Sequence, residues 1–156
     1  LLYMGRNEEG PLMFDLDTCI CFVTNQASKK VAEVFNKRLL SKGITRVQGT
    51  ALYFMGENDK INQKRLAELM NIKDSTVTRL IDRMEREDLI YRKTDPNDRR
   101  SMLLNLTEKG KEYRKITLKI GQELSRDVSK NISDKNIEIF KDVLDKIVKN
   151  VAEMEE

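Results

Sequence analysis

The sequence predicts a mainly α-helical chain with one small β-hairpin, an α+β arrangement in which a compact core is flanked by long helices. Two observations lead there. Apolar residues recur at three- and four-residue steps through most of the 156 positions, the spacing of one helix face. Two short strand-like runs interrupt that pattern on either side of Asp95-Pro96-Asn97-Asp98, a stretch dense in turn-forming residues.

Residues 1–14 lack periodicity and read as a loose N-terminal arm. From Asp15 to Leu40 the stripe Ile20, Val23, Ala27, Val31, Val34 and Phe35 predicts a long amphipathic helix stopped near Gly43. Thr45, with Gln48 three residues on, forms a capping-box pattern for a second helix carrying Val47, Ala51, Leu52 and Phe54. Asn62 precedes a short third helix with Leu66, Ala67, Leu69 and Met70. After Asn71-Ile72-Lys73, Asp74 or Ser75 caps a fourth whose inward face is Val77, Leu80, Ile81 and Met84. Two short helices joined by a tight turn make a helix-turn-helix. Strands over 89–94 and 101–106 then form a hairpin, placing Met102, Leu104 and Leu106 on one face. A hairpin directly after the second helix of such a pair is the wing of a winged helix. Thr107 caps a long helix with the stripe Tyr113, Ile116, Ile120, Leu124 and Val128. Ser133 caps a last one with Phe140, Val143, Leu144, Ile147 and Val151.

The expected organisation is therefore a winged helix-turn-helix DNA-binding core over 45–106. A dimerisation helix over 15–44 precedes it and C-terminal dimerisation helices over 107–156 follow. The flanking stripes need partners, which a second subunit supplies or which the helices find on each other.

Composition narrows the function. An apolar fraction of 39% supplies a core despite 35% charged residues. No apolar run is long enough to span a bilayer, and no helix pairs a broad apolar face with a basic one, so no membrane role is expected. The absence of a signal-peptide pattern and the presence of two cysteines point to the cytoplasm. The net charge of +3 is concentrated: residues 60–100 hold 11 Lys or Arg and 8 Asp or Glu, and the remainder balances. An electrostatic footprint for nucleic acid has that form, as does ordinary surface variation. With no histidine, nucleophile elbow, phosphate loop or carboxylate pair, neither catalytic residues nor a cofactor is expected. The same lack of histidine argues against a zinc site.

On the fourth helix, the face opposite the apolar one presents Ser75, Thr76, Thr78, Arg79 and Arg83. Short hydroxyl side chains at a helix N-terminus approach bases and phosphates closely, and Arg79 suits a bidentate contact to guanine. Lys64 and Lys73 suit phosphates, which position without specifying sequence. A solvated face with Arg79 and Arg83 paired to Asp82 or Glu87 is the alternative. Arg99 and Arg100 follow the hairpin turn, where a projecting arginine suits a narrow, negative minor groove.

These residues also carry a resemblance. Leu66-Ala67, the run Ser75 to Glu85, Leu89-Ile90-Tyr91-Arg92, Asp95 to Arg100 and Leu106-Thr107-Glu108-Lys109-Gly110 are together similar to the multiple-antibiotic-resistance regulator (MarR) family. The resemblance implies a homodimeric transcriptional regulator on pseudo-palindromic double-stranded DNA, typically a repressor released by a small aromatic or lipophilic effector. It also implies that Arg100 enters the minor groove while Asp98 braces the wing through a charge pair with an arginine. An effector pocket between the dimer helices and the core is implied as well, with Phe22, Phe54 and Tyr113 as candidate lining. Cys21-Phe22 resembles the reactive cysteine of the hydroperoxide-sensing branch, but the accompanying tyrosines are missing, with Asn25 and Gln26 downstream. Cys19 and Cys21 sit about 200° apart on a helix, unsuited to a shared metal or an intrachain disulfide. A thiol-based redox regulator acting through Cys21, and a winged-helix protein-interaction module without DNA affinity, remain as alternatives.

If the wing reading holds, Arg100→Ala folds normally and loses most operator binding in a gel shift; unchanged binding sinks the wing assignment.

Overall fold

The computed structural model describes residues 15–58 and 60–154; the expected N-terminal arm lies outside them. Among the described residues six helices, α1 (Ile20–Leu40), α2 (Arg46–Glu57), α3 (Gln63–Met70), α4 (Asp74–Arg86), α5 (Glu108–Val128) and α6 (Asp134–Glu153), enclose a hairpin of β1 (Ile90–Thr94) and β2 (Met102–Leu106) placed between α4 and α5.

Side chains start most of these helices. Thr45 and Gln48 cap α2 reciprocally, Asn62 accepts from the Arg65 amide, Thr107 from the Gly110 amide and Ser133 from the Asn136 amide. Each satisfies amides that the first helical turn leaves without a partner. Two starts differ from expectation. α1 begins at Ile20, not Asp15, because the Asp15 carboxylate accepts from the Asp17 amide at 3.0 Å and the Thr18 hydroxyl at 3.3 Å, closing a separate turn. The position capping α4 is Lys73, whose side chain makes no cap, and Asp74 lies within the first turn. The first amides of α4 are thus without a side-chain acceptor.

The core joins α2, α3, α4 and the hairpin. Leu52, Ile61, Leu66, Val77, Ile81, Met84, Leu89 and Ile90 bury their side chains together, with Leu104 from β2. Leu80 is half-buried against this cluster, as its place on the α4 stripe predicts. The strands pair antiparallel, with Ile90 opposite Leu106 and Arg92 opposite Leu104. Only Leu104 of the expected inward face of β2 is fully buried, and Met102 at the open end is exposed. The segment before α3 adds a third edge: the Leu104 amide donates to the Ile61 carbonyl at 2.8 Å. A smaller cluster of Leu39, Ile44 and Ile120 ties α1 to α5.

The junction of α4, β1 and α5 is tight. Asp88 takes a left-handed φ of 57°, and the Leu89 amide donates back to the Met84 carbonyl at 2.9 Å, terminating α4 in the manner of a Schellman turn. The Thr107 hydroxyl donates to the Asp88 carbonyl at 2.7 Å and the Lys109 ammonium to the Glu87 carbonyl at 2.7 Å. Gly110 lies so close beneath that a Cβ there would stand 2.0 Å from the Leu89 carbonyl oxygen. Backbone occupies that space and cannot swing aside as a side chain would.

The outer helices carry apolar surface that this chain leaves open. On α1, Ile20, Val23, Val31 and Val34 are exposed, while Leu39 near the C-terminal end is buried. No residue of α6 is buried; Phe140 is 57% and Val148 67% exposed. The stripes of α1 and α6 therefore do not satisfy one another within the subunit. No helix of the described residues is long and apolar enough to cross a membrane.

Gly110→Ala is expected to cost about 2–3 kcal/mol, the scale of overpacking against a surface that cannot yield. Thermal unfolding checks it; a melting temperature within a degree of the parent contradicts the packing described.

Candidate nucleic-acid interface and apolar cavity

α4 turns Val77, Ile81 and Met84 into the core and leaves Ser75, Thr76, Arg79 and Arg83 on the surface. Arg79 has no ion-pair partner among the described residues and stands exposed. Thr78 differs from expectation. It is half-buried, donating to the Asp74 carbonyl at 2.8 Å and accepting from Gln63 Nε2 at 2.7 Å. That hydroxyl fixes α4 against α3 and is already engaged. Arg83 keeps one constraint as well, its Nε donating to Glu87 at 2.8 Å.

Lys64, Lys73 and Thr76 come together in an open groove of about 680 Å³ between α3 and α4, with Glu68 and Asp74 on its wall. The uncapped amides of α4 begin there. Two ammonium groups beside unpaired helical N–H groups favour an anion such as a backbone phosphate.

The wing is braced from its stem. Arg92 on β1 forms ion pairs with both Asp82 and Glu85 of α4. Its hydrogen bond to Asp82 and the negative charges of both carboxylates raise the guanidinium pKa above its ordinary value. The two acids lie three residues apart on one helix face, and Arg92 lies on the strand face that carries Ile90. In the sequence Arg92 stands out only as part of a motif. An acidic i,i+3 pair opposite an inward strand arginine was the available signal. At the tip, Arg99 and Arg100 are exposed. Among the described residues Asp98 does not form the expected charge pair. Its carboxylate accepts from the Arg100 backbone amide at 2.9 Å, and its carbonyl accepts from the Ser101 amide at 2.9 Å. A short side chain two residues back reaches an amide more readily than a flexible guanidinium, so Asp98 shapes the turn that presents Arg100.

The three candidate effector residues are not brought together. Phe54 lines an apolar cavity of about 370 Å³, walled also by Phe35, Gly49, Thr50, Tyr53 and Thr117 among others, between α1, α2 and α5. Tyr113 packs between the two core clusters under Lys109. Phe22 lies in a separate surface hollow with Asp17 and Lys30. Phe35, Tyr53 and the glycine-opened wall were the missed members. Cys21 is exposed and Cys19 half-buried, and no hydrogen bond to either thiol occurs among the described residues.

A helix pair, a hairpin packed on its second helix, and long helices outside this unit define a winged helix-turn-helix protein. The comparisons agree. The MarR family model matches residues 44–102, from the start of α2 to the wing. The organic hydroperoxide resistance transcriptional regulator of Bacillus subtilis is 32% identical over 95 residues, covering 61% of this chain and 65% of that protein. The chain thus spans somewhat under two thirds of that relative's length. The solved Staphylococcus aureus MepR–DNA complex superposes with a TM-score of 0.80 at 23% identity, over 86% of this chain and 98% of that one. CouR of Rhodococcus jostii RHA1, solved bound to p-coumaroyl-CoA, gives a TM-score of 0.77 at 26% identity, over 85% and 94%. Over residues 44–102, from α2 through the wing, this chain is similar to the MarR family.

Arg92→Ala is expected to lower stability by about 1 kcal/mol, since a partly exposed pair to two acids is a modest contributor. Hydrogen exchange should quicken in the β1–β2 amides with α2 unchanged. Uniform protection in the hairpin would show that Arg92 does not brace the wing.

Proposed function

We propose that the chain is a sequence-specific, double-stranded DNA-binding transcriptional regulator that acts as a homodimer, with its DNA grip relieved by a small apolar or aromatic ligand. One observation carries the reading. α4, with Arg79 free and its first amides uncapped, and the wing bearing Arg99 and Arg100 form one braced body. Ser75, Thr76 and Arg79 meet base edges in the major groove, Lys64, Lys73 and Arg83 meet phosphates, and Arg100 enters the adjoining minor groove with Arg99 beside it. Thr78 and Asp98 shape this surface from behind.

Dimerisation is supported by the open apolar residues of α1 and α6, which a second copy would cover. The dimer helices are then those of 15–44 and 107–156, with the winged core between. Two-fold symmetry sets two reading helices about 34 Å apart, one turn of duplex, so the operator is a pseudo-palindrome. The cavity between α1, α2 and α5 joins the dimer helices to the reading unit. Its size and apolar wall suit a small aromatic or lipophilic ligand, and the structurally similar CouR is solved bound to p-coumaroyl-CoA. Occupancy that favours a different spacing of the reading helices would release DNA. Curated relatives are transcriptional regulators, which supports a non-enzymatic, cytoplasmic role.

Fluorescence anisotropy with DNA from upstream of the gene and a scrambled control, titrated across salt concentrations, tests the reading. Saturable preference for the upstream duplex, weakening steeply with salt, is expected. Absence of binding to any duplex at low salt would instead favour a protein-interaction module.

A further inference from the structure

We propose that Gln48 is a positioning residue for DNA binding: through Glu87 it orients Arg83 on the reading helix. The inference rests on the DNA-binding function proposed above and assigns a role to a residue otherwise explained as half of a capping box.

Gln48 is 3% exposed, and its amide is used at both ends. Oε1 accepts from the Thr45 backbone amide at 2.9 Å and the Thr45 hydroxyl at 2.9 Å. Nε2 donates to Glu87 Oε2 at 2.5 Å, across 39 residues of sequence. Glu87 Oε1 in turn accepts from Arg83 Nε at 2.8 Å. One carboxylate is thus shared between a buried amide, held at both ends, and a guanidinium on the surface. The Lys109 ammonium holds the Glu87 backbone carbonyl at 2.7 Å, so Glu87 is anchored from two sides. Contact through Nε leaves the two terminal nitrogens of Arg83 without a protein partner among the described residues. A guanidinium gripped in this way has a set direction and keeps its donors for an acceptor outside the protein. That suits a phosphate.

Capping alone does not select glutamine, because glutamate serves equally at the third position of a capping box. A glutamate at position 48 would still accept from the Thr45 amide, but its second oxygen would face the Glu87 carboxylate. Only an amide both accepts from Thr45 and donates to Glu87. Gln48→Glu therefore separates the two roles, keeping the cap and breaking the link to Arg83.

The test measures binding to a selected operator duplex, with its salt dependence, for the parent protein, Gln48→Glu, Arg83→Ala and the double variant. Gln48→Glu is expected to weaken binding about fivefold, part of the worth of one charged hydrogen bond, and to reduce the salt slope by about one. In the Arg83→Ala background it should weaken binding no further. Exchanging the pair, Gln48→Glu with Glu87→Gln, should restore parental affinity. The amide then placed at position 87 can donate to the carboxylate at position 48 and accept from Arg83 Nε. Equal losses in both backgrounds, or no rescue by the exchange, overturn the assignment. If Gln48→Glu does not fold, Glu87→Ala with and without Arg83→Ala gives the same comparison. A parent protein that binds no duplex overturns the proposed function itself, an outcome distinct from parental binding with additive losses.

Discussion

The reading helix, the wing and the first turn of α5 are joined at four consecutive residues, Arg86 to Leu89. α4 ends there, β1 begins directly after, and the start of α5 is fastened to the carbonyls of Glu87, Asp88 and Leu89 by the Lys109 ammonium and by the hydroxyl and amide of Thr107, with Gly110 packed close against the last. The left-handed backbone at Asp88 makes the reversal possible, and the buried ends of Met84, Leu89 and Ile90 keep it in place. Backbone contacts of this kind tolerate little sliding. Hence α4, the wing and the first turn of α5 move together. Arg92 repeats the connection further out, where hairpin and helix would otherwise diverge.

Around this rigid unit the chain changes character. The α1–α5 contact is small, built on Leu39, Ile44 and Ile120 with the Arg38–Asp127 ion pair at its edge, an exposed interaction of little energetic weight. Among the described residues nothing buries any residue of α6. The apolar cavity falls where the two regimes meet. Gly49 and Thr50 on its wall directly follow Gln48, so the helical turn that borders the cavity also carries the amide bound to Glu87. A stiff reading surface, weakly fastened arms and an apolar space between them are the elements on which the proposed ligand response rests.

Much of this was legible in the sequence. Period 3.6 located the six helices of the described residues, the capping residues Thr45, Thr107 and Ser133 act as read, and the turn at 95–98 placed the hairpin correctly. Local patterns suffice where the cause is local. What escaped was set by partners distant along the chain. Thr78 looked like a free hydroxyl because Gln63, which engages it, is fifteen positions away. Asp98 found a nearby amide in place of a guanidinium. Phe22, Phe54 and Tyr113 share helical spacing with the apolar stripes but not a site, since periodicity gives the inward direction of a side chain and not which neighbour it meets. Gly110 was read as part of a motif, and its packing against Leu89 supplies the physical reason for it.

Hydroxyl-radical footprinting on a duplex selected from a random pool distinguishes a paired reader from any other mode of binding. A paired, two-fold reader with inserted wings predicts two symmetrical protected patches about one helical turn apart, with minor-groove protection beside each. A single patch, or uniform protection without a repeat, would contradict it.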